Sequence, residues 1–143
     1  MEKKCVVDFR NDDVYVMSVS ETDIGLWIVT EPRFKLRRAE SAASLGATVM
    51  TALEASRREI PTPNLRSVSE EKLKFVGFKT LSSFERGTIH FILTLTEKGV
   101  SIVPTTRGIR GGYDLHPDEA VDCKPDPEEV GQLLLQMVSE RQS

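Results

Sequence analysis

Apolar residues follow two rhythms along this chain, and the change from one to the other marks out its elements. Residues 14–19 (Val14-Tyr15-Val16-Met17-Ser18-Val19) are rich in β-formers and have the length of a strand. A second run covers residues 24–30, with Trp27 at its middle and Pro32 just beyond its end. The short polar link Ser20-Glu21-Thr22-Asp23 predicts that the two runs pair as an antiparallel hairpin. Residues 33–38 read as a basic linker or a strand extension.

The rhythm then becomes helical. Ala42, Leu45, Val49, Ala52 and Leu53 recur at three- and four-residue spacing, and Met50 widens the stripe. This predicts a helix over 42–57, capped by Ser41, with Arg57 and Arg58 in its last turn opposing the helix dipole. Ile60-Pro61-Thr62-Pro63 stops it, because each proline disfavours helical geometry in the residue before it. Residues 64–72 are polar and read as a loop, and residues 73–79 as a short strand.

Alternation returns at 88–96: Ile89, Phe91, Leu93 and Leu95 point one way, and Thr88, His90, Thr94 and Thr96 the other, interrupted only by Ile92. Glu97-Lys98-Gly99 makes a tight turn, and residues 100–105 run back. Pro104 has no N–H to donate, so that strand is expected to end there or to lie at an edge. A glycine-rich loop covers 107–113, and an irregular acidic stretch continues to Cys123. Asp126-Pro127-Glu128-Glu129 then forms a cap, a first-turn proline and a capping box, opening a helix over 127–139. The order β-β-α-β-β-β-α predicts a single α+β domain over residues 1–143, with an antiparallel sheet of about five strands and two packed helices.

Composition narrows the function classes. A chain of 143 residues buries enough surface to need neither metal nor disulfide. Cys5 and Cys123 form no CxxC pair and are expected to be two reduced thiols. No apolar signal core follows Met1-Glu2-Lys3-Lys4, and no stretch has the length of a membrane span, so a cytoplasmic protein is expected. Net charge is −3, but it is polarised. Residues 33–66 hold seven Arg/Lys against three Glu, and residues 114–141 hold eight acids against Lys124 and Arg141. That asymmetry points to a charged partner.

No pattern selects an enzyme. Gly108, Gly111 and Gly112 match neither phosphate-binding spacing, and no helix start follows them. His116 with Asp114, Asp118, Glu119 and Asp122 offers ligand types but lacks the second His or Cys of a zinc site and the alternation of a calcium loop. No metal and no cofactor is therefore expected. Neither His90 nor His116 sits in a nucleophile context, so alanine at either is expected to leave activity nearly unchanged.

Two binding readings remain. Arg33, Lys35, Arg37 and Arg38 around Phe34 could contact phosphates as a small nucleic-acid-binding module. A sequence pI of about 5.5 and nine aromatics argue against it. The alternative is a basic protein partner steered to the acidic segment, with Tyr113 as an anchor rimmed by Asp114, Asp118, Glu119 and Asp122.

Three stretches together resemble the immunity proteins of bacterial contact-dependent growth inhibition systems. They are the early hairpin (residues 14–19 with Gly25-Leu26-Trp27-Ile28-Val29), the strand Ile89-His90-Phe91-Ile92-Leu93 with its turn Thr96-Glu97-Lys98-Gly99, and the tail Asp126-Pro127-Glu128-Glu129-Val130. The resemblance implies a cytosolic, non-enzymatic protein that binds and neutralises the C-terminal toxin domain of a sibling cell's surface effector. Such toxins are often nucleases, which agrees with an acidic inhibitor. The resemblance assigns no binding residues.

Overall fold

The early hairpin and the long alternating strand meet through a strand that the sequence pattern did not assign. The computed structural model describes residues 2–142. Its strands are β1 Lys3–Arg10, β2 Asp13–Glu21, β3 Trp27–Arg37, β4 Ile89–Thr96, β5 Gly99–Arg107, β6 Tyr113–Leu115 and β7 Val121–Cys123. Its helices are α1 Ala42–Glu54, α2 Leu65–Val76, α3 Leu81–Glu85 and α4 Pro127–Gln142, with a 3-10 turn over Pro117–Glu119. The strands make one antiparallel sheet in the order β3-β2-β1-β4-β5-β6, and β7 also pairs with β5. The expected α+β class holds, with seven strands in place of five and four helices in place of two. Among the described residues, no helix is long and apolar enough to cross a membrane.

Alternation sorts side chains onto two faces. Cys5, Val7, Phe9, Val16, Phe91 and Leu93 lie on the first face, under Leu45, Val49 and Leu53 of α1 and Val130, Leu134 and Val138 of α4. Val6, Tyr15, Met17 and Val19 lie on the second, under Val76 of α2 and Phe84 of α3. The Tyr15 ring meets Phe75 and Phe84 edge-on at 5.8 and 5.7 Å. Each buried side chain of this size contributes about 1.5–3 kcal/mol, so a sheet covered on both faces carries the stability.

α1 and α4 touch backbone to backbone. A Cβ built on Gly46 would stand 1.5 Å from the Pro127 carbonyl oxygen, and one on Gly131 would stand 1.8 Å from that of Ala42. Both N-caps form, although the Glu129 side chain does not close the expected capping box among the described residues. Ser41 Oγ accepts from Ser44 N at 3.1 Å, and Asp126 Oδ2 accepts from Glu129 N at 3.0 Å. Losing such a cap costs about 1 kcal/mol. Asp126→Ala should therefore lower the unfolding free energy by that amount, read as a lower urea midpoint with no change in slope; an unaltered midpoint would show the cap to be idle.

Several expectations are corrected. Residues 64–72 are not a loop, nor 73–79 a strand: both belong largely to α2. Asn64 caps α2 through Arg66 N at 2.9 Å, and Gly77 ends it at φ 78°. Arg57 and Arg58 lie beyond α1, which ends at Glu54. The chain leaves the helix there because it bonds to the sheet instead. Lys4 N donates to Ser56 Oγ at 3.0 Å, Arg57 N donates to Ser20 Oγ at 3.0 Å, and Arg58 pairs with Glu21 at 2.8 Å. β5 continues past Pro104 to Arg107. On its outer side β7 pairs with 100–102 and β6 with 105–107, so the proline falls between its two neighbours, where no N–H is called for. The acidic stretch carries β6, the 3-10 turn and β7 in place of irregular chain.

Cys5 and Cys123 sit on strands separated by β4 and β5. Three strand spacings put them about 14 Å apart, beyond disulfide reach. Burial pushes both thiols up from their ordinary pKa, with Glu129 and Asp122 adding to the effect at Cys123.

Candidate partner-binding surface

The acidic segment is held in place by a buried polar cluster. Asp8 and His90 stand opposite each other across β1 and β4, and Asp8 is fully buried. His90 Nδ1 and Asp8 Oδ1 hydrogen-bond to each other across the two strands. Thr105 Oγ1 donates to the His90 carbonyl at 2.7 Å. The Tyr113 ring lies flat on the imidazole, with centroids 4.0 Å apart and planes 8° from parallel. Burial, with the nearby Asp8 and Glu85 carboxylates, pushes the Tyr113 hydroxyl far above its ordinary pKa. Tyr113 OH and Asp8 Oδ2 are both enclosed without a hydrogen-bond partner in the protein.

An Asp–His pair is two thirds of a hydrolytic triad, and the third member is missing. His90 Nε2 hydrogen-bonds to no serine, threonine or cysteine among the described residues. What the pair does visibly is structural: it ties β1 to β4 and gives Tyr113 a platform.

The glycine-rich loop is docked by its own polar contacts. Glu85 Oε1 accepts from Gly112 N at 3.0 Å and lies 3.7 Å from Arg107 Nε, while Arg107 Nη2 donates to Ser82 Oγ at 2.8 Å. Gly111 and Gly112 have φ of 91° and 70°, a region that favours glycine.

The five candidate residues separate by orientation. Tyr113 is half-buried against His90. Asp114 shares the face of its partner Thr106, whereas Asp122, opposite Ser101, lies on the other face. Asp118 and Glu119 are exposed on the 3-10 turn between them. Glu119 lies 3.9 Å from both Arg141 and His116. Asp114, Asp118 and Asp122 make no ion pair among the described residues. The sheet edge beyond β5 therefore presents uncompensated negative charge on both faces. His116, Asp118 and Glu119 each bring one ligand-type atom within 4.8 Å of the others, but His116 Nε2 is already 2.8 Å from Thr106 Oγ1.

Arg33 and Lys35 of the basic segment 33–38 are paired in place on the edge strand β3, whereas Arg37 and Arg38 make no ion pair among the described residues. Arg33 lies 3.4 Å from Glu71 and 3.8 Å from Glu31, and Lys35 lies 3.9 Å from Asp13. The Arg38 guanidinium sits 5.9 Å from the Phe9 ring centroid. Phe34 packs against the first core and offers no free ring for a base.

The sequence reasoning missed one feature on the second sheet face. A groove of about 480 Å3 opens between the sheet, α2, α3 and β6, floored by Val6, Val19, Trp27, Val29 and Ile92. Exposed Leu81 and Leu115 stand at its walls.

No family model matches this chain, and no curated protein matches it. Solved structures do match. A protein of unknown function from Neisseria meningitidis superposes with a TM-score of 0.78 at 16% identity, over 97% of this chain and 95% of that one. A chain of the CdiA-CT/CdiI toxin and immunity complex from Yersinia pseudotuberculosis superposes with a TM-score of 0.77 at 15% identity, over 96% and 97%. The likeness is one of fold.

Proposed function

We propose that this chain is an immunity protein, which binds and neutralises the C-terminal toxin domain of a contact-dependent growth inhibition effector and performs no catalysis itself. The observation that carries the reading is the near end-to-end fold shared with a chain from a toxin and immunity complex. The stretches that resemble such immunity proteins map onto the β2–β3 hairpin, β4 with its turn, and the start of α4. The partner is a basic domain, a nuclease being the class whose substrate groove is cationic, and the two meet in the cytosol of the protected cell. The carboxylates of Asp114, Asp118, Glu119 and Asp122 meet it, and Tyr113 anchors the segment that carries them. Uncompensated charge at a sheet edge steers encounter more than it adds affinity.

The test uses the cognate toxin domain that this reading requires. Asp118→Lys, Glu119→Lys and Asp122→Lys together should slow association about tenfold at low salt, and less at high salt, where the Debye length shrinks. Equal association rates at low ionic strength would remove this segment from the interface. Failure of the unaltered chain to bind or to protect would remove the immunity reading itself.

A further inference from the structure

The groove on the second sheet face combines an apolar floor with cations that lack partners. Lys4 Nζ donates to Thr94 Oγ1 at 3.0 Å and stands 5.2 Å from the Trp27 ring centroid. Lys72, from α2 on the opposite wall, stands 5.6 Å from the Phe84 ring centroid. Both ammonium groups are thus held against aromatic faces at the groove, and neither pairs with a carboxylate among the described residues. Glu85, the one acid in the lining, is already engaged by Gly112 N and Arg107.

We propose that this groove binds an amphipathic monocarboxylate, its hydrocarbon body on Val6, Val29 and Ile92 and its carboxylate between Lys4 and Lys72. The volume falls within the usual range for small-ligand pockets, in which an apolar lining carries a few oriented polar groups. A carboxylate entering the groove can take charge-assisted hydrogen bonds from the ammonium groups in its lining. An added peptide strand fits less well, because the floor is a sheet face of side chains whose backbone groups are spent within the sheet. The groove shares Tyr113 with the acidic edge, but its apolar floor and its two lysines belong to other elements, and the proposal does not depend on the immunity reading.

Trp27 is the single tryptophan and lies in the groove, so its fluorescence reports occupancy directly. The probe is sodium decanoate below its micelle concentration, compared with decanol and decylammonium chloride on the unaltered protein. Decanoate should give a saturable change and bind at least about tenfold more tightly than decanol, as one charged hydrogen bond supplies that factor. Lys4→Met with Lys72→Met should erase that preference while leaving the melting temperature in place. Val29→Phe, which fills the floor, should abolish binding of both probes. Absence of saturable binding, equal affinity for decanol, or a preference that survives the double lysine variant would each overturn the proposal. Toxin binding by the same samples separates the two readings, since either result can fail without the other.

Discussion

Gly46→Ala is expected to destabilise the protein by more than about 3 kcal/mol, although alanine is the better helix former. Helix propensity alone favours the change by about 1 kcal/mol. Against it stands the carbonyl oxygen of Pro127, 1.5 Å from the new Cβ. The obstacle is backbone, so no rotamer can relieve it, and α1 and α4 must move apart. Their separation opens the packing of Leu45, Val49, Leu134 and Val138, and overpacking a tight core already costs about 1–3 kcal/mol before such loss. Gly131→Ala should behave alike, for it meets the Ala42 carbonyl oxygen at 1.8 Å. Urea denaturation of both variants is the measurement. A midpoint equal to or above that of the unaltered protein would mean that the two helices do not touch as described.

His90→Ala should cost about 1–3 kcal/mol, the usual effect of leaving a buried polar group without its hydrogen-bond partner. Asp8 is fully enclosed, and its Oδ2 already lacks a partner, so the variant leaves the whole carboxylate unsatisfied. Asp8→Leu combined with His90→Leu should recover most of the loss, because an apolar pair carries no desolvation penalty. The strong non-additivity of singles against double, read from thermal melts, identifies a coupled pair. Additive losses would show that each side chain acts alone. The sequence-based expectation that His90→Ala leaves activity nearly unchanged therefore needs the fold to be verified first; lost protection in that variant would report unfolding before it reported chemistry.

The parts of the fold legible in the sequence were those whose partners are near in the chain. The hairpin, the 89–96 strand, α1 and α4 declare themselves by local periodicity and caps. β1 did not, because Asp8 interrupts its apolar run and the reason for an acid there, His90, lies 82 residues away. α2 was misread because Leu73, Phe75 and Val76 around Lys74 look like a short strand, although Asn64 and Gly77 frame a helix. The charge polarity of the acidic segment was visible, but its orientation was not. Strand alternation turns Tyr113 inward and sends Asp114 and Asp122 to opposite faces, and register depends on pairing with β5. The groove was invisible for the same reason: Lys4, Trp27, Lys72 and Ile92 converge only once the sheet and α2 are assembled.

The cationic segment that first suggested nucleic-acid binding has a different consequence in the folded chain. β3 is the last strand on its side of the sheet, so its outer backbone groups face no neighbour. An unpaired edge of this length invites a second molecule to add a strand, and then a third. Lys35 and Arg37 belong to that strand, and Glu31 and Pro32 interrupt its pairing with β2. Two such edges would have to bring like charges together and match two kinks at once. The opposite side of the sheet is finished by β6 and β7, each only three residues long. The chain thus keeps its own sheet from growing without end, and it does so with residues whose charge looked, in sequence, as if meant for someone else.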